Sequence, residues 1–582
     1  MWRSATSCAV AVAFLGATAA AQSTTTTTTN ATPTTAISTP IPVVGAKTGI
    51  DRKTGQPPAR LDIDDLWAQR DSQWDLYILA LSELQNLNET DESSYFAIAG
   101  IHGHPHSAWN GVDHVDGAPI TGFCPHGELV FATWHRPYVA LFEQILVSHA
   151  VDIASRYPDK LRPEYISAAE TLRQPYWDWA LSATVPLAAT PVNLTVTAPE
   201  GPKEIPNPLY NYQFQRLQVV KGWGGHLSHR RESFRCTGSD GFSNNATASN
   251  ENLKKAGNLT SYVYDVFARV ETFDDMKSSN FENPHNMIHA LAACNGTLSD
   301  LNWAAFEPLF MLHHANIDRL VALWQVIHYE NAMFTGTDLS KGQFGTPKGT
   351  VITADSPLKP FFMADGVTFH TSNSVKNISV FGYTYPELPP FYLEPETAAS
   401  HVRAQVNALY VGGLNNRVAQ PQAVNKMGQP TLPVLKEYYA VEVGLNRSEL
   451  LAQGDGGGGG NVGLYMAGQK MGDVSVMGMP CDGMAEQLVP LGDVRLSDNG
   501  SLFDLDDAAE VVDALLKGMG VGIWLADGTE LEVGSIPSLN LTLQDMQYAP
   551  RSANDSEAFP EFNGMSASWS VEVRGRDWMP TE

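Results

Sequence analysis

Glu307-Pro308-Leu309-Phe310-Met311-Leu312-His313-His314-Ala315-Asn316-Ile317-Asp318-Arg319 lies within a segment, residues 305–329, whose apolar positions repeat with helical period. Two adjacent histidines among Phe310, Met311, Leu312 and Leu320 are costly to bury unless their ring nitrogens find partners, and a metal ion is one such partner. Asp318, four residues after His314, stands where a carboxylate could accept a hydrogen bond from a ligand imidazole and orient it. This stretch predicts a helical domain with a metal at its core.

Upstream, Asn283-Pro284-His285-Asn286-Met287-Ile288-His289 puts two histidines four apart on one helical face. Alone, that pair reads equally as two hydrogen-bonded core histidines. A zinc peptidase needs a glutamate directly after the first histidine as general base, and residue 286 is Asn. Three further histidines lie earlier, in Gly100-Ile101-His102-Gly103, Cys124-Pro125-His126 and Thr133-Trp134-His135-Arg136-Pro137-Tyr138. His135 falls on a helix predicted over residues 129–152, whereas His102 and His126 fall on loops. About three imidazoles per ion, with open positions left over, suit copper in a site that handles dioxygen.

The segments IHG, CPHG, FATWHRPYVALFEQ, NPHNMIHA and FEPLFMLHHANIDRLVALW together resemble the copper A and copper B regions of fungal tyrosinases. VVGAKTG, RLDI, QPYWDWA at 174–180, SPLKPF at 356–361 and the tail extend the resemblance over nearly the whole chain. It implies two copper ions, one held by His102, His126 and His135, the other by His285, His289 and His314. His314 is preferred over His313 because the family's ligand stands four residues before the Asp. Small phenolic substrates and dioxygen are the implied partners, with a phenol hydroxylated to a catechol and the catechol oxidised to an o-quinone. Cys124, two residues before His126, matches the cysteine of a Cys-to-His thioether, the alternative being a free buried thiol. Glu282 and Asn286 flank His285 where similar enzymes fix a water, and a phenol with a pKa near 10 needs such a base. The plainer reading of Glu282 is a carboxylate at a helix N-terminus. Glu307 departs mildly from the family's usual Asp before Pro308. The loop over residues 290–302 is expected at the entrance, and Cys236 with Cys294 as a disulfide. A catechol oxidase or an o-aminophenol oxidase shares these features, and an oxygen carrier shares the six histidines.

The remaining sequence frames that site. Arg3, a short apolar run and Ala19-Ala20-Ala21 predict a secretory signal over residues 1–21, followed by a Thr/Pro-rich linker over 22–45. Eleven Asn-x-Ser/Thr sequons agree with a secreted, extracellular protein. A mainly α catalytic domain, a helix bundle, is expected over 46–430, its first helix starting near Asp64. Residues 431–582 alternate as strands do, from Tyr439, Val441 and Val443 onward, and predict a β-rich C-terminal domain. The resemblance makes this domain a cover removed by an activating protease, with the glycine run near residues 455–460 as a candidate cleavage site. A formal net charge of −26 argues against a nucleic acid or an anionic membrane as partner, and no segment is long and apolar enough to predict a membrane span.

Overall fold

The computed structural model describes residues 40–224, 227–238, 243–257, 259–278, 281–410, 436–454, 459–466, 469–478, 483–492, 508–552 and 555–576. The expected signal, the linker up to residue 39, the whole of the 411–435 junction, residues 455–458 of the glycine run and Cys481 therefore lie outside the described residues.

Helices α1 (Ile63–Gln69) and α2 (Ser72–Asn86) occupy the region predicted as a single helix. They divide because Asp71 caps α2, its side chain accepting from the Gln73 and Trp74 amides, while Arg70 turns through a left-handed conformation (φ 47°). The long buried helix α3 (Phe131–Ser155) packs against α2 and carries His135. α4 (Leu259–Arg269), α5 (Glu282–Ala293), α6 (Leu309–Ile327) and α7 (Pro395–Tyr410) complete the bundle. α6 begins later than predicted: Pro308, which has no amide to donate, sits at its N-cap, and residues Ala304–Phe306 form a separate tight turn. Every residue of α6 but Val326 is buried, so this helix is the axis of the domain.

The C-terminal domain stacks two four-stranded antiparallel sheets. β1 (Lys436–Asn446), β4 (Met484–Gly492), β7 (Asn540–Ala549) and β8 (Glu561–Val571) form one in the order β4-β1-β7-β8. β2 (Gly460–Met466), β3 (Gln469–Val476), β5 (Met519–Leu525) and β6 (Glu530–Leu531) form the other in the order β6-β5-β2-β3. Leu445, Leu464, Val474, Ile523 and Leu543 from the two inner faces are fully buried between them.

β3 is the strand that meets the catalytic domain. Its Asp473 carbonyl accepts from Tyr262 Oη (3.1 Å) on α4 and Asn283 Nδ2 (3.2 Å) on α5. The Ser475 amide donates to Asn283 Oδ1 (3.3 Å), and the Ser475 carbonyl accepts from Asn286 Nδ2 (3.4 Å). Tyr438 on β1 donates to Asp265 on α4 (2.9 Å). The C-terminal domain is thus hydrogen-bonded onto the helix that bears His285 and His289.

Candidate metal centre

Two groups of buried side chains could each hold a metal ion: His102, Cys124, His126 and His135, and His285, His289, His313 and His314. The first is assembled from the turn after Tyr95–Ala99, the loop at Cys124 and His126, and α3; the second comes from α5 and α6. The groups adjoin. The His135 and His314 rings stack with centroids 4.3 Å apart, and those of His126 and His285 stand 6.1 Å apart. All six histidines expected as ligands are brought together, with His313 as a seventh.

Main-chain carbonyls orient three of the rings. His102 Nδ1 is paired with Leu301 O (3.0 Å), His135 Nδ1 with Phe131 O (2.8 Å) and His289 Nδ1 with Leu298 O (2.8 Å). His285 Nδ1 is paired with Asn286 Oδ1 at 2.9 Å. In each case Nδ1 carries the proton and Nε2 is left with a lone pair facing inward. Two expectations are corrected here. Residues 297–301 are buried and hold imidazoles in place, so this part of the loop after α5 is scaffold, not entrance. Asp318 orients no imidazole. It accepts from Arg136 Nε (2.6 Å), Arg60 Nη1 (3.2 Å), Tyr383 Oη (2.5 Å) and Tyr385 Oη (2.8 Å), tying α6 to the residue after His135. Four-residue spacing gave the correct helix face, but the arginines of α3 and the N-terminal segment reach that face first.

The donor set fits metal ions. His102 Nε2, His285 Nε2 and His314 Nδ1 are buried without a hydrogen-bond partner, as are both nitrogens of His313. His289 Nε2 and His314 Nε2 stand 3.2 Å apart, a separation natural to two lone pairs sharing a cation. Burial drives every one of these imidazoles toward its neutral, ligating form: His135 is pushed down to about 3 and His289 to about 4. His102, His126, His285, His313 and His314 shift the same way, with neighbouring histidines adding to burial.

The adjacent pair divides cleanly by position. His314 lies between the two groups, with its ring 4.3 Å from His135, 5.0 Å from His285 and 6.3 Å from His102. His313 lies on the outer side, against His285 (5.0 Å), His289 (4.9 Å) and Trp179 (5.9 Å). Cys124 Sγ is 3.6 and 3.7 Å from the two nitrogens of His126 and 3.2 Å from His135 Nε2. Cys236 and Cys294 form the expected disulfide. Glu307, fully buried, is bridged to Arg235 (2.5 Å), the residue before that disulfide.

No hydrogen bond joins Glu282 and Asn286. Asn286 serves His285 and Ser475, as above. Both oxygens of Glu282 accept the Gly127 amide (3.1 and 2.9 Å), which clamps the loop next to His126. Burial raises the Glu282 carboxyl, against the pull of Arg447, the Gly127 amide and two lysines.

Two adjoining clusters of neutral imidazoles inside a helical bundle define a binuclear metal protein. The common central domain of tyrosinase matches residues 92–327. A tyrosinase of Podospora anserina is 34% identical over 397 residues, covering 63% of this chain and 69% of that one. One of Neurospora crassa is 33% identical over 385 residues, covering 61% and 56%. The crystal structure of latent and active mushroom tyrosinase superposes with a TM-score of 0.75 at 21% identity, covering 92% of this chain and 100% of that chain. The chain belongs to the tyrosinase family. That family holds two copper ions, and the two histidine groups could bind them.

Among the described residues no helix is long and apolar enough to cross a membrane.

Proposed function

We propose that this protein is a secreted oxidase that converts phenols and o-diphenols to o-quinones with dioxygen, latent until its C-terminal domain is released by a protease. The observation that carries the reading is the set of inward-facing Nε2 atoms whose Nδ1 partners are fixed by Leu301, Phe131, Leu298 and Asn286. We assign His102, His126 and His135 to one copper and His285, His289 and His314 to the other; bound there, the pair supplies two-electron chemistry toward dioxygen. The two fungal relatives described above are tyrosinases, which supports the same substrate class.

The chain's own residues then have three tasks. Phe131 and Phe310, packed on His135 and His314, keep bulk water from the imidazoles. Cys124, seated against His126, is the partner for a thioether that would lock that ring. Glu282 is the base for a phenolic proton, made stronger than a solvated glutamate by its burial, and Asn286 keeps His285 in the correct tautomer. The strand β3 holds Asn286 through Ser475, so release of the C-terminal domain frees that amide.

The test uses the full copper-loaded chain, with and without mild proteolysis, and follows oxygen uptake with tyrosine, a catechol and an o-aminophenol alongside metal analysis. Two coppers per chain and protease-enhanced uptake with tyrosine are expected. His314→Gln is expected to lose one copper and His313→Gln to keep both. Glu282→Gln is expected to lower monophenol turnover by about 10²–10⁴-fold while catechol turnover stays within a few fold. Oxygen uptake with catechol alone would reduce the protein to a catechol oxidase, and copper without turnover would make it a carrier.

A further inference from the structure

A cavity of about 630 Å³ lies between the two domains, with Gly127, Lys277, Glu282 and Lys341 on the catalytic side and Arg447 and Gln487 on the other. Most of its charges are spoken for. Arg269 is bridged to Asp265 (2.6 Å) and Lys277 to Asp338 (2.6 Å). Asp274 accepts the Thr335 and Gly336 amides, Glu442 accepts from Gln544, and Glu486 is exposed to solvent. Two cations are left over. Neither Arg447 nor Lys341 makes a side-chain hydrogen bond or salt bridge among the described residues, and Arg447 is only 7% exposed, its Nε fully buried without a partner.

An unpaired guanidinium is expensive to bury. The Glu282 carboxylate acts on Arg447 electrostatically, yet it is committed to the Gly127 amide and makes no hydrogen bond or salt bridge to the guanidinium. The two cations converge on an open space created by glycine. A Cβ on Gly127 would stand 3.8 Å from Lys341 Cε and 3.9 Å from Arg447 Nη2, and one on Gly483 would stand 3.8 Å from Lys341 Nζ. Both glycines have positive φ (65° and 85°), which other residues adopt with strain, so the gap is held open by the backbone. Burial, together with Arg447 and Lys277, lowers the Lys341 ammonium from its ordinary value, and Asp338 and Glu128 offset only part of this.

We propose that Arg447 and Lys341 form a binding site for a small oxyanion of the phosphate or carboxylate class, which bridges the two domains. A guanidinium fork presents paired N–H donors matched to two oxygens of such an anion, and the ammonium supplies the opposing charge. Because the two cations come from different domains, the anion binds only while the domains are docked and favours the docked form by mass action.

The test is calorimetric titration of the copper-loaded full chain with inorganic phosphate, compared with Arg447→Met and Lys341→Gln. One phosphate per chain is expected, with affinity lowered at least about tenfold in each variant, the loss typical of one charge-assisted contact. At a phosphate concentration of 100 Kd, the undocked population and its protease cleavage should fall about 100-fold in the wild type and not in Arg447→Met. Thermal unfolding without phosphate checks that each variant is folded. Competition by 3-(4-hydroxyphenyl)propionate but not by its amide would identify the natural occupant as a substrate carboxylate, and binding of phosphate without such competition as a free oxyanion. Absence of phosphate binding, or equal binding by all three proteins, overturns the proposal. None of these readouts requires turnover.

Discussion

Replacing Asp318 by Asn removes one negative charge from a site where three of the interacting side chains are sealed from water. The Asp318 and Arg136 side chains are each 1% exposed and Arg60 is 0%. Arg60 keeps Glu143 at 2.7 Å, but Arg136 keeps only the carbonyls of Val375 and Lys376 and becomes an uncompensated buried cation. An amide also has one acceptor atom where the carboxylate had two, so it cannot serve all four of the present donors. Breaking a buried pair on one side costs about 3–5 kcal/mol. With an unfolding entropy of about 2 cal/mol/K per residue, a catalytic unit of this size changes by roughly 0.8 kcal/mol/K, so the melting temperature should fall by about 4–6 °C. Calorimetry at pH 7 on the full chain measures this. The double variant Asp318→Asn/Arg136→Met should recover part of the loss by removing the stranded charge. The pH dependence has a definite sign. Burial opposes ionisation of Asp318, but Arg136 and Arg60 outweigh it and hold its carboxyl below the ordinary value. Its contribution is therefore present above about pH 4 and disappears as pH falls through the folded-state value, and the variant should lack that part of the acid limb. A melting temperature within about 1 °C of wild type, or a double variant no better than the single, would refute the reasoning.

Two further outcomes follow from the same physics. The disulfide between Cys236 and Cys294 closes a separation of 58 residues, and its replacement by serines should cost about 4 kcal/mol on the chain-entropy estimate, read as a lowered denaturation midpoint. Chelator-stripped protein should lose stability steadily as pH falls from about 6.5 toward 4, because unfolded histidines take up protons there while His289 waits until about 4 and His135 until about 3; a flat profile across that range would contradict the buried neutral imidazoles.

Much of this architecture was legible in the sequence. The pair His285 and His289 was legible because i,i+4 spacing is a local signal, the full set of six histidines came from the resemblance to fungal tyrosinases, and a change from helical to alternating pattern suggested a second domain from about residue 431. The misses share a cause. The carbonyls of Leu298, Leu301 and Phe131 that orient three imidazoles belong to the main chain, so no side chain announces them. Arg447 reaches the edge of the metal centre from the other domain, a proximity created only by docking. α1 and α2 were merged because the cap at Asp71 looks like any surface aspartate. Asp318 was placed on the correct face and given the wrong partner, since periodicity states which side a residue faces and not which neighbour arrives there.

The anchoring of His102, His135 and His289 by main-chain oxygens has an evolutionary corollary. An acceptor that every amino acid possesses cannot be deleted by a point substitution at its own position; exchanging Leu298 or Leu301 for another aliphatic residue leaves the carbonyl where it was. The aim of these rings is thereby uncoupled from the identity of the side chains that surround them. A lineage built on this scaffold can drift at those positions, and so explore new pocket shapes, without detuning the metals at each step.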